Sequence, residues 1–149
     1  MASRIYNEAL RAIAAGEIDL NAADIRARLV MSNTTCDTEN DGKVYLADIT
    51  TIDPADAGGY ADIDMDGLAV NKDDANDRAE FDANDLVFSG LDGLATRDYQ
   101  GVLLYVRVDG TNANDKLIAF IDFTADVPKQ ATQVTVPWDL QGIIQFAQA

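Results

Sequence analysis

Apolar and polar residues alternate along most of this chain with a period of two, and only its first stretch repeats at the spacing of a helix. Between Ser3 and Gly16, Ile5, Ala9, Ala12 and Ile13 fall on one side of a helix, with Tyr6 and Leu10 beside them. Ser3 offers the N-cap and Gly16 the stop. A helix of about three turns is marginal alone in water. Its face of Ile5, Tyr6, Leu10 and Ile13 is therefore expected to be a packing interface.

Beyond residue 16 the pattern predicts strands. Ile25 to Met31 alternates so that Ile25, Ala27, Leu29 and Met31 face inward and Arg26, Arg28 and Val30 outward. A polar stretch follows from Ser32 to Gly42, then a short extended run at Val44–Leu46 and a loop over Pro54–Gly59. Further strands are expected over residues 59–65, 68–70, 78–82, 86–88, 101–108, 116–123, 133–136 and 142–146. Asp109 to Asp115 reads as a hairpin loop, so its flanking strands should pair antiparallel, and Pro137–Asp139 reads as a corner. These two long strands are apolar at consecutive positions, so both their faces should be covered, by the helix or by a neighbouring subunit. Many short strands after one helix predict a mainly β fold: an antiparallel β-sandwich or jelly-roll-like barrel. The chain reads as one domain over 1–149, with the helix in 1–16 and the β-domain in 24–149.

Asp62-Ile63-Asp64-Met65-Asp66-Gly67 has the spacing that opens a calcium loop, with Asp73 at the twelfth position. Asp73 is one methylene shorter than the usual glutamate, and the flanks read as strand. A strand displaying Asp62, Asp64 and Asp66 on one face, away from Ala61, Ile63 and Met65, is the favoured reading. The alternative is a weak Ca²⁺ site on Asp62, Asp64, Asp66 and Asp73.

Charge narrows the partners. The chain has 11 basic and 26 acidic residues, a net of −15, and residues 33 to 85 hold 15 of the acids against 3 bases. Such a surface repels phosphate backbones and anionic membranes, so neither nucleic acid nor membrane is an expected partner. The uneven distribution predicts one acidic face and another closer to neutral, the neutral one suiting a lasting protein contact. The first residues lack an uninterrupted apolar signal segment, so synthesis in the cytoplasm is expected.

There is no histidine and one cysteine, which removes the common general base, the serine triad and thiolate clusters. Cys36, between Thr35 and Asp37, is expected to be an inert thiol. Gly58-Gly59 precedes a strand with no lysine or helix to follow, so it is no phosphate loop. In the acidic string Asn71–Asp85, Asp and Asn serve turns and Arg78 is the expected counter-ion of its neighbours. Trp138, the single tryptophan, is expected to plug the core at a strand corner. No catalytic residue and no cofactor stands out, and a non-enzymatic protein is expected.

The stretch Asp73–Leu91 resembles the central signature of a group of tailed-bacteriophage structural proteins. Further pieces fit in order: Tyr6-Asn7, Ile18-Asp19-Leu20, Arg28–Thr35, the Val102–Tyr105 and Ile118–Asp122 hairpin, and the ending Trp138–Ile144. The resemblance implies a virion component and no catalytic residues. Small, acidic and β-rich, such a chain would serve as a capsid decoration (cement) protein, binding the major capsid protein and stabilising its lattice at many equivalent sites, itself homo-oligomeric. A tail, neck or baseplate adaptor is the first alternative. A calcium-dependent carbohydrate-binding sandwich and a glycoside hydrolase are the alternatives from other classes.

Overall fold

The computed structural model describes residues 3–147. Their elements run β1 (Arg4–Ile5), α1 (Asn7–Ala14), β2 (Ile25–Met31), a 3₁₀ turn (Leu46–Asp48), β3 (Ile63–Asp64), β4 (Ala69–Asp73) and β5 (Arg78–Asp82). Then follow β6 (Leu86–Ser89), β7 (Tyr99–Val106), β8 (Lys116–Val127), β9 (Gln133–Val136) and β10 (Ile144–Ala147). The fold is mainly β and sandwich-like, with antiparallel sheets and one short helix.

The largest sheet has the order β1-β8-β7-β2-β3, and smaller sheets β10-β5-β4 and β6-β9 accompany it. One core cluster joins Ile25, Ala27, Leu29, Val102, Leu104 and Ile118 of the large sheet to Phe81, Leu86, Phe88, Val134, Val136 and Ile144 of the smaller ones. A second cluster lies on Val30, Leu103, Tyr105, Leu117 and Phe120. The central strands are thus buried on both faces, as their continuous apolar runs require. Val30, expected to face solvent, is wholly buried in the second cluster.

What covers that second face is mostly irregular chain. Cys36, Leu46, Ile49 and Ile52 pack there with Tyr6 and Ala9. The segment can lie inside because side chains satisfy its backbone. The Asp48 carboxylate accepts from the N–H groups of Val44 and Tyr45, and Glu39 from that of Thr50. Residues 44–46, expected as a strand, make one bridge, Tyr45 to Lys116, and pass into the 3₁₀ turn.

The helix begins later than its periodicity suggests. Arg4 and Ile5 are taken by β8 as an edge strand, Arg4 opposite Phe120 and Ile5 opposite Ala119. Ser3 caps nothing; its hydroxyl oxygen accepts from the N–H of Asp122. Tyr6 becomes the N-cap without a side-chain bond, and the N–H of Asn7 finds the Asn40 side chain instead. The 59–65 strand also shortens, because only Ile63 and Asp64 find partners on β2, at Ala27 and Arg26. Within it Ala61 is exposed and Asp62 half-buried, the reverse of the expected alternation.

Candidate functional site

Asp62 lies at the centre of the most connected polar group in the molecule. Its Oδ2 accepts from Arg28 Nε at 3.0 Å, Arg28 Nη2 at 2.8 Å and the Tyr105 hydroxyl at 2.7 Å. Its Oδ1 accepts from the Tyr60 hydroxyl at 2.6 Å, and the Tyr60 oxygen in turn accepts the N–H of Leu29 at 3.0 Å. The Arg28 guanidinium also lies 5.1 Å over the Tyr105 ring. Burial acts to raise the Asp62 pKa, but Arg28 and the two tyrosine hydroxyls outweigh it and hold the carboxyl below its usual 3.8. Both tyrosines are pushed upward, chiefly by burial, so they act as donors and not as bases. The arrangement stitches β2, β7 and the chain before β3 together and leaves no acid or base free to exchange protons.

The other calcium-loop candidates are engaged elsewhere. Asp64 is exposed and stands 3.5 Å from Arg26, while Asp66 Oδ1 accepts from Asn84 Nδ2 at 3.0 Å. Asp73 accepts from Asn76 at 2.7 Å and pairs with Arg78 at 3.1 Å. Among the described residues no three acids or thiols gather where a metal ion could be held. Arg78 also reaches Glu80 at 3.6 Å, so it is the counter-ion its position in the acidic string suggested.

Two grooves carry the apolar candidates. Ile13 lines one of about 440 Å³ with Ile18, Leu20, Val70 and Phe146. Leu10 is part-exposed on the helix, Ile5 is half-buried in β1, and Tyr6 is wholly buried with its hydroxyl donating to the Cys36 carbonyl. The structure therefore divides the four helix candidates: Tyr6 belongs to the core, Ile5 and Ile13 are half-buried against it, and Leu10 is exposed. Val70 belongs to the acidic segment, so helix and acidic segment share this groove and do not occupy opposite ends. Cys36 is wholly buried and its thiol is pushed up, first by burial.

The second groove, of about 340 Å³, runs between β8 and the β9–β10 corner, lined by Ile121, Phe123, Val136, Pro137, Trp138 and Ile143. Trp138 is half-buried, with its indole N–H donating to the Asn84 carbonyl at 3.0 Å. It forms the wall of a groove where the sequence suggested a core plug. Beside it Leu140 is 98% exposed, and Leu94, at 79%, lies in the loop after β6. Asp122, noted in the sequence only as part of a strand, has both carboxylate oxygens buried without a hydrogen-bond partner. Burial, and then the nearby Asp37, raise its pKa. No pattern of residue types marks it, because its isolation follows from the pairing of β8 with β7 and β1.

Comparison of the chain with protein-family models, with curated proteins and with solved structures gives no match.

Proposed function

We propose that this chain is a non-enzymatic structural protein of a tailed-phage particle, a decoration protein that binds the major capsid protein and stabilises the lattice from the virion surface. The observation that carries the reading is a group of apolar side chains presented to solvent on and after β6 and β9, outside the acidic segment: Val87 at 47% exposure, Leu94 at 79% and Leu140 at 98%, with Trp138 half-buried; Val108 and Leu10 are exposed elsewhere. The group flanks the β6–β9 pair, and residues 86–147 carry 7 acids against 4 bases. Burying a leucine of this kind against a partner contributes about 2 kcal/mol, and many equivalent sites multiply the effect. The acidic stretch 59–85 is then the solvent side. The sequence resemblance to phage structural proteins supports the same reading, as does the engagement of the acidic side chains in turns and ion pairs.

Quantitative mass spectrometry of purified particles tests it. A ratio to the major capsid protein near one, or one per few subunits, is the expected result; a dozen copies or fewer would move the chain to a tail, neck or baseplate adaptor, and absence would end the virion reading. Leu140→Asp should leave folding unchanged, since the side chain touches almost nothing, and weaken binding to capsids roughly tenfold or more. Cross-links from residues 59–85 to the capsid protein would overturn the orientation.

A further inference from the structure

The sequence holds four Asp–Gly bonds, at Asp41–Gly42, Asp66–Gly67, Asp92–Gly93 and Asp109–Gly110. Such bonds undergo spontaneous rearrangement. The glycine nitrogen, unhindered by a Cβ, attacks the aspartate Cγ; a C–N bond forms, the carboxyl hydroxyl leaves as water with the amide hydrogen, and a succinimide results. Water then opens the ring. If the bond from nitrogen to the α-carbonyl breaks, the main chain continues through Cγ as isoaspartate, with no net change in mass and no co-reactant beyond water. The carboxyl group must be free to swing onto the following nitrogen.

Three of the four aspartates are not free. Asp66 Oδ1 is held by Asn84 Nδ2 at 3.0 Å, and a Cβ at Gly67 would lie only 2.6 Å from the same side chain. Asp92 Oδ1 accepts the N–H of Leu94 at 2.9 Å. Asp109 accepts from the Thr111 N–H at 2.8 Å, the Thr111 hydroxyl at 2.7 Å and Asn114 at 2.6 Å, while the nucleophile itself, the Gly110 N–H, donates to Asp115. Asp41 differs on each count. It is exposed, its single side-chain contact is a long 3.4 Å one from Asn7 Nδ2, and the space around Gly42 is open.

We propose that Asp41–Gly42 is the site at which this chain isomerises spontaneously, the fold protecting the other three Asp–Gly bonds by hydrogen-bonding their carboxylates. The position matters because the adjoining Asn40 closes a turn and ties it to the helix: its carbonyl accepts from Lys43 N–H at 3.3 Å and its side chain from Asn7 N–H at 3.0 Å at the start of α1. Isomerisation adds one main-chain carbon inside that turn.

The test is to incubate the intact chain at physiological temperature, digest it with trypsin, and label isoaspartate with a protein isoaspartyl methyltransferase. The four bonds fall on separate peptides, 29–43, 44–72, 79–97 and 108–116. Label should accumulate on 29–43 about tenfold faster than on the others, since each protected site must first break hydrogen bonds to a charged group. Fragmentation should place it at Asp41 with unchanged mass, which separates it from deamidation of Asn33 or Asn40. Asp41→Glu should abolish the label, and Asn84→Ala, which frees Asp66, should create a new one on 44–72. Equal labelling of the four peptides, earlier labelling at another site, or no gain from Asn84→Ala would overturn the proposal.

Discussion

Single carboxylates in this molecule are worth very different amounts, and their surroundings decide the sign. Removing Arg28 would strand the Asp62 charge between two tyrosines, so Arg28→Ala should lower stability by about 3 kcal/mol, read from urea unfolding. Glu39 behaves similarly: burial opposes ionisation, but Lys43, Thr35 and Thr50 bring its pKa from 4.5 down to about 2. Both groups have folded values below their unfolded ones. The Glu39 stabilisation is therefore present above about pH 4.5 and lost as pH falls toward about 2, that of Asp62 is present above 3.8 and lost as pH falls through its lower folded value, and acid unfolding should begin below about pH 4.5. Asp122 has the opposite sign, since a raised pKa means that the folded state resists its ionisation. Its unfavourable contribution appears as pH rises above 3.8 through the folded value. Asp122→Asn should raise the urea midpoint at neutral pH and give little gain in acid, and an unchanged midpoint at neutral pH would show that the carboxylate finds a partner.

Within elements, the β7–β8 pair shows how local pattern and long-range contact divide the work. Its two continuous apolar runs and the Asp-Gly turn residues between them announce a hairpin, and the two strands do pair antiparallel. What rigidifies the loop is Asp115, 2% exposed, whose Oδ1 accepts the N–H groups of Val108, Asp109 and Gly110. Asp115→Ala would orphan these donors at a cost of about 2–3 kcal/mol, visible as faster amide exchange at Val108, Asp109 and Gly110. Gly101 is a second constrained point of the pair, because a Cβ there would press on the Ile121 carbonyl and lie 2.7 Å from the Phe120 ring. Gly101→Ala should cost about 1–3 kcal/mol through overpacking, measured by thermal unfolding. In the sequence this glycine looks like the start of a strand. In the fold it sits inside β7, where two strands and a ring crowd together.

At the scale of the whole molecule, a net charge of −15 is borne by a fold whose acids are largely paired or turned to solvent. Residual self-repulsion should make added salt stabilising, with the melting temperature rising by roughly a few degrees in about 0.5 M sodium chloride at neutral pH. A flat or falling response would mean that the ion pairs outweigh the repulsion. The bounds of β2, β5 and β9 were legible in the sequence, because alternation is a local property, although Val30 of β2 is buried on the face expected to be exposed. The succession of strand patterns likewise pointed to the mainly β class without any structure, and the composition fixed the strong acidity, the absence of histidine and the single cysteine. Other features came only with the tertiary structure: Arg4 and Ile5 forming an edge strand instead of a helical turn, a polar stretch covering the second face of the sheet, Asp62 turning inward to Arg28, and Asp41 left free while its three counterparts are held. Each depends on a partner distant in the chain, such as Phe120, Tyr6, Arg28 or Asn84. Periodicity constrains which face of an element is buried, but only packing decides what meets it there.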